Sequence, residues 1–205
     1  MRILLLSCFV VQMLVFSGCS TPEYLFQPQQ IPLYVKSYSV PSLSSLRKVE
    51  FSINVLNCVN EVTLTSLSFS GQRKPESLMS LREVVLSEFD SAIDANFKRL
   101  VGKSQPDVEL KIETHRALLE RDGDDMEFDI ALSIHLLNPS HMDKPYFSKR
   151  YAIRTRCERL NKEYVPPCVY EAVQKIAAEF LSDLSQDQSL VSRLSKLGVQ
   201  KGIMQ

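Results

Sequence analysis

Three stretches in the middle of the chain alternate apolar and polar residues one by one. Val108, Leu110 and Ile112 alternate with Glu109, Lys111 and Glu113. Phe128, Ile130, Leu132, Ile134 and Leu136 alternate with Glu127, Asp129, Ala131, Ser133 and His135. Phe147, Lys149, Tyr151, Ile153 and Thr155 alternate with Ser148, Arg150, Ala152, Arg154 and Arg156. A period of two sends successive side chains to opposite faces of a strand. Three consecutive strands with one apolar face each require a sheet covered on one side and wet on the other, as antiparallel sheets are. Arg121-Asp-Gly-Asp-Asp125 joins the first two, and its Asp-Gly supplies the positive φ of a tight hairpin turn.

Something must cover the apolar face. Leu78, Leu81, Val84, Val85, Phe89, Ala92, Ile93 and Phe97 recur every three or four residues. They predict an amphipathic helix over about residues 78–100, capped by Ser77 and closed by Gly102. Pro166-Pro167 opens a second helix, striped by Val169, Val173, Ile176, Ala177, Phe180, Leu181 and Leu184. Upstream, Val49, Phe51, Ile53 and Val55 mark a half-buried strand, and Val62, Leu64, Leu67 and Phe69 continue in another phase. Either a turn joins two strands near residues 57–61 or a bulge re-aims one long strand; two strands is the favoured reading. The order is β(β)-α-β-β-β-α. It predicts an α+β two-layer sandwich: an antiparallel sheet of four to five strands with two amphipathic helices on one face. This domain spans residues 46–185, and the polar stretch 186–205 reads as a frayed tail.

The first twenty residues, MRILLLSCFVVQMLVFSGCS, set location. Ile3 to Phe16 is apolar except for Ser7 and Gln12. About 14 such residues make about 21 Å of helix, short of the roughly 20 residues a span needs and right for a signal-peptide core. Phe16-Ser17-Gly18-Cys19 then resembles a bacterial lipobox, with Phe16 where Leu is usual. The resemblance implies cleavage after residue 18 and lipid on Cys19, with residues 19–45 as a Pro-dotted tether, part of which packs on the domain. More than one acyl chain is what stable anchoring needs. Ser20 stands where the inner-membrane retention signal has Asp, which by resemblance favours the outer membrane of a Gram-negative bacterium, on its periplasmic side.

Composition removes other options. Lys+Arg and Asp+Glu balance at 24 each, so no bulk charge draws nucleic acid. Only 6 glycines and the absence of G-x-S-x-G, H-E-x-x-H and phosphate-loop patterns point away from an enzyme and from any cofactor. His115, His135 and His141 have no Cys or carboxylate at ligand spacing, so no metal site is expected. Counting back from the Gly123 turn places His115 opposite about residue 131, away from His135. Asp122, Asp124 and Asp125 belong to a turn, since the calcium-loop pattern is absent.

Two features invite a site. Arg150, Arg154 and Arg156 share the outward face of the third strand, with Arg159 just beyond. They either pair with Glu109, Glu113, Glu127 and Asp129 across strands or meet an anionic surface such as lipid phosphate or an acidic partner. Cys157 and Cys168 bracket the last strand-to-helix connection. A bridge there is the favoured pairing, worth about 2.5–3 kcal/mol in the loop-entropy account; a pairing of Cys58 with either, or none, stays open.

The lipobox, Cys19-Ser-Thr-Pro-Glu-Tyr24 after it, and the strand–strand–helix order from Phe128 to Leu184 resemble a group of small Gram-negative envelope lipoproteins. That group includes the lipoprotein partner of the lipopolysaccharide-assembly barrel and the auxiliary lipoproteins of ABC-type transporters. The chain has no tryptophan, whereas the auxiliary family has one before its first helix. The resemblance implies a non-catalytic, membrane-anchored accessory subunit with a protein partner in an envelope complex. A free-standing lipid- or cell-wall-binding module is the alternative.

Overall fold

A computed structural model of the chain describes residues 38–57, 61–67, 73–100, 105–122, 125–140, 144–157 and 165–201. Residues 1–37, and with them Cys19 and the signal and tether readings, lie outside the described residues, as do Cys58, His141 and Arg159.

A 3₁₀ helix, Pro41–Lys48, leads into β1 (Glu50–Asn57), β2 (Glu61–Leu67), β3 (Arg73–Ser80) and helix α1 (Leu81–Asn96). A two-residue strand β4 (Lys98–Arg99) follows, then β5 (Val108–Asp122), β6 (Asp125–Leu137), β7 (Phe147–Cys157) and helices α2 (Val165–Gln186) and α3 (Gln188–Lys201). All seven strands join one sheet. Its centre is the β5–β6–β7 meander expected from the alternation, antiparallel throughout, with Asp122 facing Asp125 at the turn.

The other edge of β5 departs from expectation. β1 runs parallel to it, from Phe51↔Val108 to Asn57↔Thr114, and β2 continues in the same direction with Thr63↔Leu118. β1 and β2 therefore lie end to end along one neighbour, and no hairpin joins them. The sheet is mixed rather than wholly antiparallel. It has four main positions, with β3 added outside β2 and β4 outside β1. Alternation could not report this, because it records which face is buried and not which way the neighbour runs.

The α+β two-layer sandwich stands as expected. Val108, Leu110, Ile112, Leu119, Phe128, Ile130, Leu132, Ile134, Leu136 and Tyr151 all point into the core. Both α1 and α2 cover that face, α1 against β1 and α2 against β6 and β7. Phe180 on α2 ties the layers, with ring centroids 6.1 Å from Phe89 on α1 and 5.8 Å from Phe147 on β7.

The first helix is shorter than its spacing predicts. Residues 73–80 pair with β2 as a strand, and Pro75 is tolerated because β3 has no further neighbour among the described residues. The cap is Ser80, whose hydroxyl accepts from the Glu83 N–H at 3.4 Å; Ser80-Leu-Arg-Glu83 is the capping-box spacing. At the other end Asn96 stops the helix. Its amide donates to Ala92 O (2.9 Å) and Tyr38 O (2.7 Å), and its Oδ1 accepts from Val40 N (2.8 Å). Phe97 then turns extended and stacks on Phe51, centroids 4.1 Å apart.

The C-terminal stretch is a helix where a frayed tail is expected. Leu190, Val191 and Leu194 are buried, and α3 packs on the 3₁₀ helix, whose Leu43 and Leu46 are fully buried. Part of the predicted tether, residues 41–45, is thus core structure. Two segments far apart in sequence supply each other's missing apolar partner, which neither shows alone.

Candidate functional site

The sheet face opposite the helices is polar, and β7 forms its outer border. On that face a bulge at His115 shifts the β5–β6 register between Thr114↔Leu132 and Arg116↔Ala131. A bulge sets two consecutive residues on one side of a strand, and here His115 and Arg116 are both exposed. His115 Nε2 lies 2.7 Å from Ser133 Oγ, and His135 Nδ1 lies 2.9 Å from Ser148 Oγ. The two histidines are not direct cross-strand partners, since His135 faces Lys111. The structure nonetheless gathers them around Glu113, whose Oε2 is 4.0 Å from each Nε2. Lys111 Nζ holds the other oxygen at 2.7 Å. That hydrogen bond, outweighing burial and helped by the neighbouring positive charge, keeps the Glu113 carboxyl below its usual range. Among the described residues no group of three His, Cys, Asp or Glu side chains is arranged to hold a metal.

The arginine strip has partners. Arg154 sits opposite Asp129 and Arg156 opposite Glu127 in the β6–β7 register. Arg154 donates to Asp129 Oδ2 at 3.2 Å and lies 3.6 Å from Glu127, while Arg116 reaches the same Asp129 oxygen at 3.1 Å. The Asp129 hydrogen bond and the two carboxylates raise the Arg154 pKa above its ordinary value. Arg150 faces Ser133 and has no acidic residue across from it.

On its inner side β7 is clamped to α2 by a cluster that sequence inspection missed. Asp183 Oδ2 accepts from Lys149 Nζ and from the Tyr151 hydroxyl, each at 2.7 Å, and Glu179 lies 3.7 Å from the same ammonium. Burial pushes the Asp183 carboxyl up, but the Lys149 and Tyr151 hydrogen bonds overcome it and hold the group below its usual range. Burial, then the Asp183 bond, raises the Tyr151 phenol. The signal lay in Lys149 and Tyr151 being polar on the inward phase of a strand. A disulfide, Cys157–Cys168, with Cα atoms 5.5 Å apart, fastens the end of β7 to the start of α2.

A second polar contact is buried where the described chain begins. Tyr38 donates to Glu88 Oε2 at 2.7 Å, and both residues are under a tenth exposed. Burial first, then Glu88, pushes the Tyr38 phenol well up.

One surface depression, about 540 Å³, is open and lined by Arg47, Asp94, Ala95, Phe97 and Lys98. Another of about 260 Å³ lies between β1 and α1, with Phe51, Ser52, Ile53, Leu86, Asp90, Ile93 and Leu100 on its walls. That volume falls below the range typical of small-molecule sites. No helix among the described residues is long and apolar enough to cross a membrane.

No protein-family model and no curated protein matches the chain. Solved structures do. A Xanthomonas campestris protein of the DUF330 family superposes with a TM-score of 0.60 at 12% identity, covering 78% of this chain and 96% of that one. A minor lipoprotein from Acinetobacter baumannii matches at TM-score 0.41 and 6% identity, over 69% of this chain and 95% of that one. A Neisseria meningitidis lipoprotein matches at 0.36 and 12%, over 63% and 98%. The last two are too distant in shape to bear on the argument. The first shows that this α+β fold is one that the DUF330 protein also adopts.

Proposed function

We propose that the chain is a non-catalytic lipoprotein, anchored through Cys19 on the periplasmic side of a Gram-negative outer membrane, serving as an accessory subunit of an envelope-assembly or lipid or ABC-type transport complex. The observation that carries the reading is the apolar run ending in Ser17-Gly18-Cys19. The Cys157–Cys168 bridge supports it, because disulfides persist in oxidising compartments such as the periplasm. The sheet face left uncovered by the helices supplies a surface through which such a subunit meets a partner. The alternative, a free-standing binding module for lipid or cell wall, has less support, since the depression beside α1 is small and Ser52 and Asp90 share its walls.

Palmitate labelling and envelope fractionation of the full chain in a Gram-negative host test the anchor. The wild type takes up label and sediments with outer membranes, and Cys19→Ala loses both. A Cys19→Ala chain that fractionates like the wild type sinks the reading. Crosslinking in intact cells tests the accessory role: recovery only as a bare monomer counts against it.

A further inference from the structure

Among the described residues β7 is an edge strand. It pairs with β6 along its whole length, Phe147–Cys157, and no described strand lies on its other side. An open edge offers a row of backbone N–H and C=O groups to any extended chain that fits. This edge is also stiff. The disulfide pins its end to α2, and Asp183 holds Lys149 and Tyr151 nearer its start. A strand so fixed loses little freedom when another chain adds to it.

Its outward side chains select the occupant. Arg150, Ala152, Arg154 and Arg156 are all exposed on the outer face. A second copy of β7, antiparallel about Ala152, would set Arg150 against the other copy's Arg154, and like charges directly opposite are destabilising. The sheet itself shows what suits this row: on β6, Glu127 and Asp129 stand opposite Arg156 and Arg154. Arg154 keeps 59% of its side chain exposed despite those partners, and Arg150 has no acid facing it. A lipid surface fits less well, because Glu113, Glu120, Glu127 and Asp129 interleave with the cations on the same face. What is basic is a line along one edge, with side chains at strand spacing.

We propose that the free edge of β7 docks an extended acidic segment of a partner protein, added as a further antiparallel strand with carboxylates opposite Arg156, Arg154 and Arg150. The inference rests on the accessory-subunit reading for there being a protein partner. It adds the docking edge and the partner's chemistry. Antiparallel pairing fixes the pattern: acidic residues at positions 1, 3 and 7 of the incoming segment.

The test is hydrogen exchange of the full-length chain in neutral detergent with acetyl-Glu-Val-Glu-Val-Thr-Val-Glu-amide. The expected result is protection of β7 backbone amides, binding about tenfold tighter than for the version with Gln in place of Glu, and loss of binding when alternate peptide nitrogens are methylated. Arg150→Glu lowers affinity for the Glu peptide and raises it for a Lys version. Three outcomes overturn the proposal: no protection at millimolar peptide, equal binding of the Glu and Gln peptides, or protection of β7 by phosphatidylglycerol vesicles and not by peptide. Any of these leaves the palmitate result at Cys19 untouched, so failure of the docking edge and failure of the anchor are read separately.

Discussion

Gly198 lies directly against the backbone of Lys48: a Cβ built on it would stand 2.6 Å from the Lys48 carbonyl oxygen and 2.8 Å from its carbon. The C-terminal helix and the 3₁₀ helix approach this closely only because position 198 has no side chain. In an exposed helix Gly→Ala stabilises by roughly 1 kcal/mol. Here the obstacle is backbone, which has little room to yield. Gly198→Ala therefore has the opposite sign, a loss of about 1–3 kcal/mol as for overpacked sites. The midpoint of urea unfolding checks it; a stabilised variant would show that α3 does not seat on Lys48.

Tyr38→Phe removes the donor that meets the buried Glu88 carboxylate. A buried acceptor stripped of its partner costs about 1–3 kcal/mol. Glu88→Leu in the Tyr38→Phe background recovers part of that loss, because no buried polar atom is then left over. A thermal-melt comparison of wild type, single and double variants reads the sign directly.

Reduction of Cys157–Cys168, or replacement of both residues by Ala, lowers stability by about 2.5–3 kcal/mol in the loop-entropy account. For a chain of this size that is a fall of about 5–12 °C in melting temperature. Non-reducing peptide mapping of periplasmic material identifies the bridge independently, and a Cys58-containing bridge would overturn the pairing.

Asp183 gives the fold an acid-sensitive clamp. Its folded pKa is depressed, so its contribution is present above the unfolded carboxylate value of about 4 and is lost as pH falls through the folded value. Asp183→Asn should be less stable than wild type at pH 7, and the gap should narrow towards pH 3. Urea midpoints at a series of pH values follow it; a gap that stays constant into acid would remove Asp183 from the pH dependence.

The meander and α2 were legible because a buried face writes its period into the sequence. The rest was hidden for identifiable reasons. Pro75 reads as a breaker, yet an edge strand tolerates it. Ser77 and Ser80 both sit at plausible cap positions, and only Glu83 distinguishes the second. Leu190 and Leu194 sit in a stretch that reads as a polar tail until Leu43 and Leu46 are placed beneath them. At the candidate site the arginines and their cross-strand acids Glu127 and Asp129 were visible, but the sharing of Asp129 between Arg116 and Arg154 was not. The meeting of His115 and His135 at Glu113 depends on the bulge. Its trace is the phase change from Ile112 to Ala117 and Leu119, which simple counting from the turn overlooks.

The parallel seating of β1 and β2 on β5 has a consequence for the order in which the protein takes shape. Phe51 pairs with Val108, 57 positions further on, and Thr63 with Leu118, 55 further on. A growing chain releases these strands well before the partner they need exists, whereas β5, β6 and β7 meet their neighbours across short turns. Closing a loop of that length costs about 3–4 kcal/mol before any contact repays it. The second half of the polypeptide is thus the template, and the first half waits, with bare strand edges, to be received by it.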